Sequence, residues 1–132
     1  MKDLLEYPSC KLYKNGRFRL PNKVRQQMES WRIRRVVVLA DEPGKIRIIQ
    51  AVKWNRMKAE DKRKIPIKCP VRTQSVSGSF IVLNPCLQQY LGETETIYFE
   101  LDKDHYLIWN EADYQEQNEI REAELQKMYY GK

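Results

Sequence analysis

Residues 16–28 read GRFRLPNKVRQQM, and residues 78–90 read GSFIVLNPCLQQY. At an offset of 62, five of these thirteen positions are identical, among them the glycine, the phenylalanine and the asparagine. Farther along, apolar residues of 36–54 match those of 96–114 at an offset of 60. Agreement over this length predicts a duplicated unit of about 45 residues, which is within the size range of known structural repeats.

Both copies carry the same secondary-structure signals in the same order. Strand-like runs around a glycine turn predict a β-hairpin, an asparagine N-cap predicts a short helix, and a second hairpin precedes a closing helix. In the first copy the elements are predicted at residues 11–13, 17–20, 22 onward, 35–40, 45–50 and 51 to about 60. In the second they are predicted at residues 72–76, 79–83, 84 onward, 95–101, 105–109 and 112 to about 128. The predicted N-caps are Asn22, Asn84 and Asn110.

The predicted fold is mainly β with short helices, in two tandem hairpin-helix-hairpin units and a C-terminal helix. Residues 8–60 form the first unit, residues 72–118 form the second, whose helix continues to about residue 128, and residues 61–71 form the linker. A unit this small buries too little surface to be stable alone, so two units must pack together, within or between chains.

Charge is distributed unevenly between the two halves. Residues 1–72 hold 20 Lys and Arg against seven Asp and Glu, a net charge of +13, whereas residues 73–132 hold four against 11, a net charge of −7. A basic surface attracts phosphate because each neutralised phosphate releases a condensed counterion. The basic unit is therefore predicted to face nucleic acid, the alternative being a solvated surface without a ligand.

Several other classes of protein are disfavoured. The longest apolar run, Val36 to Ala40, is far shorter than the ~20 residues of a membrane span, and the acidic start is unlike a signal peptide, so we expect a cytoplasmic protein without a membrane partner. Three cysteines without a C-x-x-C pair predict free thiols and neither a zinc site nor any other cofactor. The chain is not expected to be an enzyme, since its one histidine, His105, has only Cys86 as a conceivable dyad partner.

Two stretches carry a family resemblance. The segment of residues 16–25, GRFRLPNKVR, and the later hairpins IRII and LIW, each followed by an aromatic residue (Trp54 or Tyr114), resemble the MraZ branch of the AbrB-like swapped-hairpin transcription factors. The resemblance spans residues 8–118 and implies a swapped-hairpin, double-psi-like barrel, DNA contacts through the first hairpin turn, and ring-like homo-oligomers. The family's turn reads Asp-x-Lys-Gly-Arg, while residues 13–17 read YKNGR and residues 75–79 read SVSGS, so only the first copy keeps the arginine.

The first hairpin supplies the candidate DNA-binding residues. A two-stranded ribbon or its turn enters the major groove, where arginine bonds to guanine and asparagine to adenine, which makes Arg17 and Asn15 the candidate base readers. Period two places Arg17 and Arg19 on one face of the strand and Phe18 and Leu20 on the other. The candidates for phosphate contact are Lys14, Arg19, Lys23 and Arg25.

Further residues are assigned by pattern alone. Five aromatic residues in apolar patterns are predicted to belong to the core, namely Phe18, Phe80, Trp54, Trp109 and Tyr114. For seven other cations, contact with the DNA backbone and simple exposure to solvent are equally expected. They are Arg32, Arg34, Arg35, Lys58, Lys62, Arg63 and Lys64.

These observations favour a nucleoid-associated transcriptional regulator, expected to be a repressor, that binds repeated double-stranded DNA sites as an oligomer. One alternative is an antitoxin-like protein whose acidic C-terminal half, especially residues 111–128, binds another protein. A third interpretation is an RNA-binding module, which competition by structured RNA at equal salt would reveal.

Overall fold

The computed structural model describes residues 7–65, 73–76 and 80–129. In these residues the fold is a mixture of strands and helices. The strands are β1 (Ser9–Lys11), β2 (Arg17–Phe18), β3 (Arg35–Glu42), β4 (Lys45–Gln50), β5 (Gln74–Ser75), β6 (Ile81–Val82), β7 (Thr96–Asp102) and β8 (His105–Asn110). The helices are α1 (Asn22–Ser30), α2 (Ala51–Arg56), α3 (Ala59–Lys62), α4 (Pro85–Leu91) and α5 (Glu111–Tyr129).

Six strands form one antiparallel sheet, curled into a half-barrel, in the order β1-β7-β8-β4-β3-β5. The two outer strands belong to the opposite half of the chain from their neighbours: β1 pairs with β7, and β5 pairs with β3. Strands β2 and β6 form a separate two-stranded antiparallel sheet, which we call the β2–β6 ribbon. Each of these three pairings joins a strand of the first half of the chain to a strand of the second half.

The centre of the six-stranded sheet has an internal two-fold relation. Strand β4 pairs with β8 so that Ile46 lies opposite Ile108 and Ile48 lies opposite Tyr106. The two pairs exchange when each residue is replaced by its counterpart 60 positions away. The predicted offset of 60 is therefore confirmed for β4 and β8 but is wrong for β3 and β7. Because β3 has an irregularity between Ala40 and Glu42, these two strands follow an offset of 61, at which Val36 corresponds to Ile97.

The first part of each unit follows an offset of 63 instead of the predicted 62. A shift of one residue turns a strand's side chains to the other face, so burial of the apolar positions decides the register, whatever the number of identities. The identical residues Phe18 and Phe80 are consequently not equivalent in the fold. The buried pairs at the observed offset are Phe18/Ile81, Leu20/Leu83, Val24/Leu87 and Met28/Leu91.

The N-caps of α1 and α4 reflect the same shift. Asn84 caps α4 as predicted, because its Oδ1 accepts a hydrogen bond from Leu87 N at 2.8 Å. The N-cap of α1 is Pro21, which has no side-chain acceptor, and Asn22 is the first residue of the helix. The prediction that Asn22 caps α1 is therefore wrong, since the residue equivalent to Asn84 at an offset of 63 is Pro21.

The first hairpin forms its turn but not a two-stranded ladder. Gly16 N donates to Tyr13 O, and Tyr13 N donates to Arg17 O, both at 2.9 Å. Beyond this turn β1 and β2 separate, because each finds its partner strand in the other half of the chain. Downstream, the predicted helix from residue 51 to about 60 is divided at Met57, whose extended backbone ends α2 before α3 begins.

Most of the apolar side chains form one core shared by both halves of the chain. It includes Phe18 and Met28 from the first half and Leu91, Phe99 and Ile108 from the second. A smaller cluster of Val37, Leu39, Ile49 and Ala51 is covered by Trp54, Met57 and Ile65. The predicted linker lies largely outside the described residues. In the part of the chain that the structure describes, no helix combines the length and apolarity needed to cross a membrane.

The cysteines differ from the prediction of free thiols. Cys86 is disulfide-bonded, whereas Cys10 is free. Sequence spacing does not reveal which distant residues a fold brings within bonding distance, so the absence of a C-x-x-C pair carries little weight here. The third cysteine, Cys69, lies outside the described residues.

Candidate nucleic-acid interface

The turn of the first hairpin is held in place by the second half of the chain. Gly16 is buried with a φ of +84°, a conformation that favours glycine. A Cβ at this position would lie 2.5 Å from Leu83 O, which itself accepts a hydrogen bond from Gln88 Nε2 at 2.9 Å. Leu83 N donates to Gly16 O at 2.9 Å. Residues 13–17 are thus fixed against the junction between β6 and α4.

Side chains alternate along β2 and the residues that follow it, as the sequence predicts. Phe18 and Leu20 are buried, at 0% and 6% exposure, while Arg17 and Arg19 are exposed. The apolar pair anchors the segment to the core. The two arginines are therefore presented at the surface by a segment whose alternate side chains pack into the core.

The outward face of the β2–β6 ribbon combines residues of both halves. Arg17 lies opposite Val82 and Phe18 opposite Ile81, so Phe80 falls on the same side as the arginines. The Cζ atoms of Arg17 and Arg19 lie 4.8 Å and 5.1 Å from the centroid of the Phe80 ring. Both distances are within the range of cation–π contacts.

Three of the five aromatic residues assigned to the core are only half-buried. Phe18 and Tyr114 are buried as predicted, but Phe80, Trp54 and Trp109 each lie beneath a cation. Lys62 Nζ is 4.4 Å from the centroid of Trp54, and Lys45 Nζ is 4.6 Å from that of Trp109. Apolar patterning does not distinguish a fully buried ring from one whose outer face is covered by a long basic side chain.

The turn positions Lys14 and Asn15 at the surface. Both side chains are exposed, and Asn15 Oδ1 accepts a hydrogen bond from Arg17 N at 3.3 Å. A bidentate contact with adenine needs both polar atoms of the amide, so this local bond competes with the base-reading role predicted for Asn15. Asn15 here shapes the turn that presents Arg17.

The two candidates on α1 have different surroundings. Arg25 is half-buried, and its Nη2 donates to Asn22 Oδ1 at 2.9 Å. Lys23 is exposed and lines a cleft of about 670 Å³ with Gln26 and Glu100. The structure thus brings Arg17 and Arg19 together over the Phe80 ring, while Lys23 borders a separate cleft.

The candidate cations are not neutralised by carboxylates. Within the described ranges, no Asp or Glu forms an ion pair with Lys14, Arg17, Arg19, Lys23 or Arg25. Several cations elsewhere are paired, such as Lys53 with Asp104 at 2.6 Å. The turn, the ribbon and α1 therefore carry a positive field that is available to an external anion.

Three further residues belong to this surface and were not among the predicted site residues. Lys11, Tyr13 and Phe80 line a cleft of about 260 Å³ with Arg19 and Cys10. Lys11 Nζ lies 5.3 Å from the centroid of Tyr13, and the Tyr13 ring meets Phe80 edge-on at 5.9 Å. The alternation of Ile81 and Leu83 was the signal for Phe80, since it turns residue 80 outward.

The additional basic residues are partly used within the fold. Arg32, Arg34 and Arg35 line a cleft of about 670 Å³ beside Glu29, and Arg35 Nη2 donates to Thr73 O at 3.0 Å. Lys62 covers Trp54, and Lys64 pairs with Asp61 at 3.7 Å. These contacts engage part of the basic surface, and the choice between backbone contacts with DNA and a solvated surface stays a prediction.

The residues considered for catalysis are engaged elsewhere. The disulfide removes the thiol that a Cys86–His105 dyad needs. His105 lies 3.4 Å from both Asp102 and Asp104 at the turn between β7 and β8. Burial raises the pKa of the Cys10 thiol to about 12, which suppresses its reactive thiolate. Among the residues described, no group of three or more His, Cys, Asp or Glu is arranged to hold a metal ion.

Comparison of the chain with protein-family models, with curated proteins and with solved structures gave no match. The residues and their geometry are therefore the basis for the function proposed below.

Proposed function

We propose that the chain is a sequence-specific DNA-binding transcription regulator that presents the β2–β6 ribbon to the major groove. The observation that carries the proposal is the outward face of this ribbon, where Arg17 and Arg19 lie side by side on Phe80 with no carboxylate partner among the described residues. The major groove admits a two-stranded ribbon, and arginine bonds bidentately to guanine O6 and N7.

The roles of the surrounding residues follow from their positions. Arg17 is the principal base reader, and Arg19 contacts a base or the adjacent phosphate. Lys14 on the turn and Lys23 and Arg25 on α1 neutralise phosphates, which sets the register on the duplex without reading sequence. Asn15 mainly shapes the turn, since its Oδ1 is bonded to Arg17 N.

The exchanged strand pairings support a swapped-hairpin fold of the MraZ type. In such a fold each unit lends strands to the other, and here β1 pairs with β7, β5 with β3, and β2 with β6. Under this proposal both partners of the exchange lie in one chain, and several chains assemble into a ring-like oligomer that binds repeated sites. The expected action is repression in the cytoplasm, at the nucleoid, by binding without catalysis.

The test compares a labelled duplex from the region upstream of the protein's own gene with a scrambled duplex at several salt concentrations. Wild type is expected to prefer the upstream duplex, and Arg17→Ala is expected to lose about 1–3 kcal/mol of that preference, the usual value of one bidentate contact. Val52→Ala, an exposed change on α2 away from the ribbon, is the control. Equal binding of both duplexes by wild type, unchanged in Arg17→Ala, would refute the proposal.

A second candidate function is capture of another protein by α5. The helix carries six acidic residues against two basic ones, and its far end exposes 76% of Met128 and 62% of Tyr129. An exposed apolar end on an acidic helix suits a basic protein partner. Native mass spectrometry of the protein purified from its own cells tests this, because Met128→Asp should remove the added mass of a partner bound there.

A further inference from the structure

We propose that Phe80 is the positioning residue of the DNA interface: its ring, supplied by the second unit, holds the guanidinium groups of Arg17 and Arg19 in the orientation in which they meet the bases. The inference rests on the proposed function. It adds that the reading surface is a composite of both units, in which one contributes the cations and the other the platform beneath them.

The contacts of Phe80 single it out from other surface aromatic residues. Its ring lies within about 5 Å of two guanidinium groups, at 4.8 Å and 5.1 Å, whereas Trp54 and Trp109 each lie beneath one lysine. The Tyr13 ring meets Phe80 edge-on at 5.9 Å with an interplanar angle of 81°. The platform is thereby supported from the side by the same turn that precedes Arg17.

A contact with an aromatic ring suits a group that must also bond to a base. A guanidinium is planar, and its N–H donors point outward within the plane, so a ring against its face leaves the donor edge free. An arginine on an exposed strand otherwise samples many rotamers and loses that freedom when it binds. Restricting Arg17 before binding lowers this entropic cost and limits the bases that it reaches.

The register of the ribbon explains why the second unit has no arginine here. At the offset of 63, Phe80 stands where the first unit has Arg17, and Val82 stands where it has Arg19. Arginines at all four outward positions would face each other across the two strands, and like charges directly opposite are destabilising. Because the second strand carries Phe80 and Val82 at its outward positions, only the first strand of the ribbon carries arginines. Each chain therefore presents an asymmetric contact to DNA.

The decisive experiment measures the ratio of affinities for the upstream and scrambled duplexes in Phe80→Leu and Phe80→Tyr. Leucine keeps an apolar side chain but removes the aromatic face, and we expect a loss of roughly fivefold in the ratio. Tyrosine keeps the face and should retain the wild-type ratio. Val82→Ala, on the same face of the same strand, is the matched control and should behave like wild type.

The outcomes separate this inference from the proposed function. If Arg17→Ala loses the preference while Phe80→Leu keeps it, the platform has no role and only the inference falls. If Arg17→Ala keeps the preference, both fall. The inference also falls if Phe80→Tyr discriminates no better than Phe80→Leu.

A measurement on the wild-type protein covers the case in which Phe80→Leu does not fold. The Nε–H resonances of Arg17 and Arg19, assigned by NMR, should be shifted upfield by the ring current of Phe80 relative to the urea-unfolded chain. Resonances at the unfolded position would mean that the guanidinium groups do not lie over the ring, and the inference would be overturned.

Discussion

Gly16 shows how one backbone position determines what the interface can do. Its φ of +84° turns the chain between Tyr13 and Arg17, and its missing Cβ lets Leu83 O approach. The position of Arg17, the next residue, depends on both properties because Arg17 directly follows this turn. A Cβ added at residue 16 is therefore expected to change both the free energy of unfolding and the position of Arg17.

Gly16→Ala is expected to lower the free energy of unfolding by more than the 1–2 kcal/mol typical of a left-handed alanine, because the added Cβ also collides with a backbone carbonyl. Urea unfolding of wild type and Gly16→Ala measures this loss. A loss of no more than about 1–2 kcal/mol, the cost of the left-handed conformation alone, would contradict the close approach at Gly16.

Cys10 is expected to be nearly unreactive in the folded protein. Burial raises its pKa from 9.0 to about 12, so at pH 9 the thiolate fraction falls by roughly two to three orders of magnitude relative to an unfolded chain. The neutral thiol is thus favoured by the folded state, a contribution to stability that is present below pH 9.0 and is lost as the pH rises towards about 12.

The rate of iodoacetamide labelling at pH 9, with and without urea, checks this expectation for Cys10. Cys10→Ala is labelled in parallel to subtract reaction at any other thiol. Similar rates for Cys10 in the folded and unfolded protein would show that the thiol is solvated and that its pKa is not raised.

At the scale of elements, sequence patterning predicts most individual strands and helices and the hairpins β3–β4 and β7–β8, but not the strand pairings between the two halves of the chain. Alternation along β2 places its inward and outward side chains correctly, because period two depends only on local order, whereas β3 is buried on both faces and does not alternate. The exchange of β1 and β5 between the halves depends on tertiary packing, which no local pattern encodes. The offset of 62 failed for a related reason, since identities such as Asn22 and Asn84 outweighed the burial that sets the register.

The caps of α1 and α4 test the observed register directly. Asn84→Ala should cost about 1 kcal/mol, the usual value of an N-cap, because it removes the acceptor of Leu87 N. Asn22→Ala should cost less, since Asn22 is inside the first turn of α1 and its Oδ1 accepts a hydrogen bond from the Arg25 side chain instead of from a backbone N–H. Thermal unfolding of the two variants measures the difference, and equal costs would restore the offset of 62.

The middle of α5 is fastened to the sheet around Glu100. Its Oε1 accepts a hydrogen bond from Trp109 Nε1 at 3.0 Å, and its Oε2 lies 3.4 Å from Tyr7 OH and 3.5 Å from Arg121 Nη2. Arg121 also donates to Tyr7 OH. One carboxylate thus joins the segment before β1, the strands β7 and β8, and the second half of α5.

Glu100→Gln should loosen α5 by roughly 1 kcal/mol, because an amide forms weaker bonds than a carboxylate and supplies no charge for Arg121. Hydrogen exchange along α5 is the measurement, and faster exchange is expected there with little change in β4. Glu95→Gln, at an exposed carboxylate before β7, is the control. Unchanged exchange in Glu100→Gln would show that α5 is held by its apolar contacts alone.

At the scale of the whole molecule, the structure shows which parts of the surface carry the unpaired positive charge that the sequence predicts. The cations of the turn, the ribbon and α1 lack carboxylate partners within the described residues, while Lys53, Lys64 and Arg121 are paired. Composition predicts the sign of the surface but not which cations are neutralised, because ion pairs such as Lys53 with Asp104 join residues far apart in the sequence. The same limit applies to Phe80, whose ring contacts Arg17 and Arg19, which lie 63 and 61 positions earlier in the sequence.

The salt dependence of DNA binding distinguishes the unpaired cations from the paired ones. Each phosphate contact contributes about −0.9 to the slope of log K against log salt concentration, so Lys23→Ala should reduce the magnitude of the slope by about 0.9 on both upstream and scrambled duplexes. Lys53→Ala removes the same charge from a residue paired with Asp104 at 2.6 Å and should leave the slope unchanged. Net charge alone predicts equal effects for the two variants. A smaller slope in both would therefore mean that DNA responds to the overall field of the protein, and a smaller slope only in Lys23→Ala would place α1 against a phosphate.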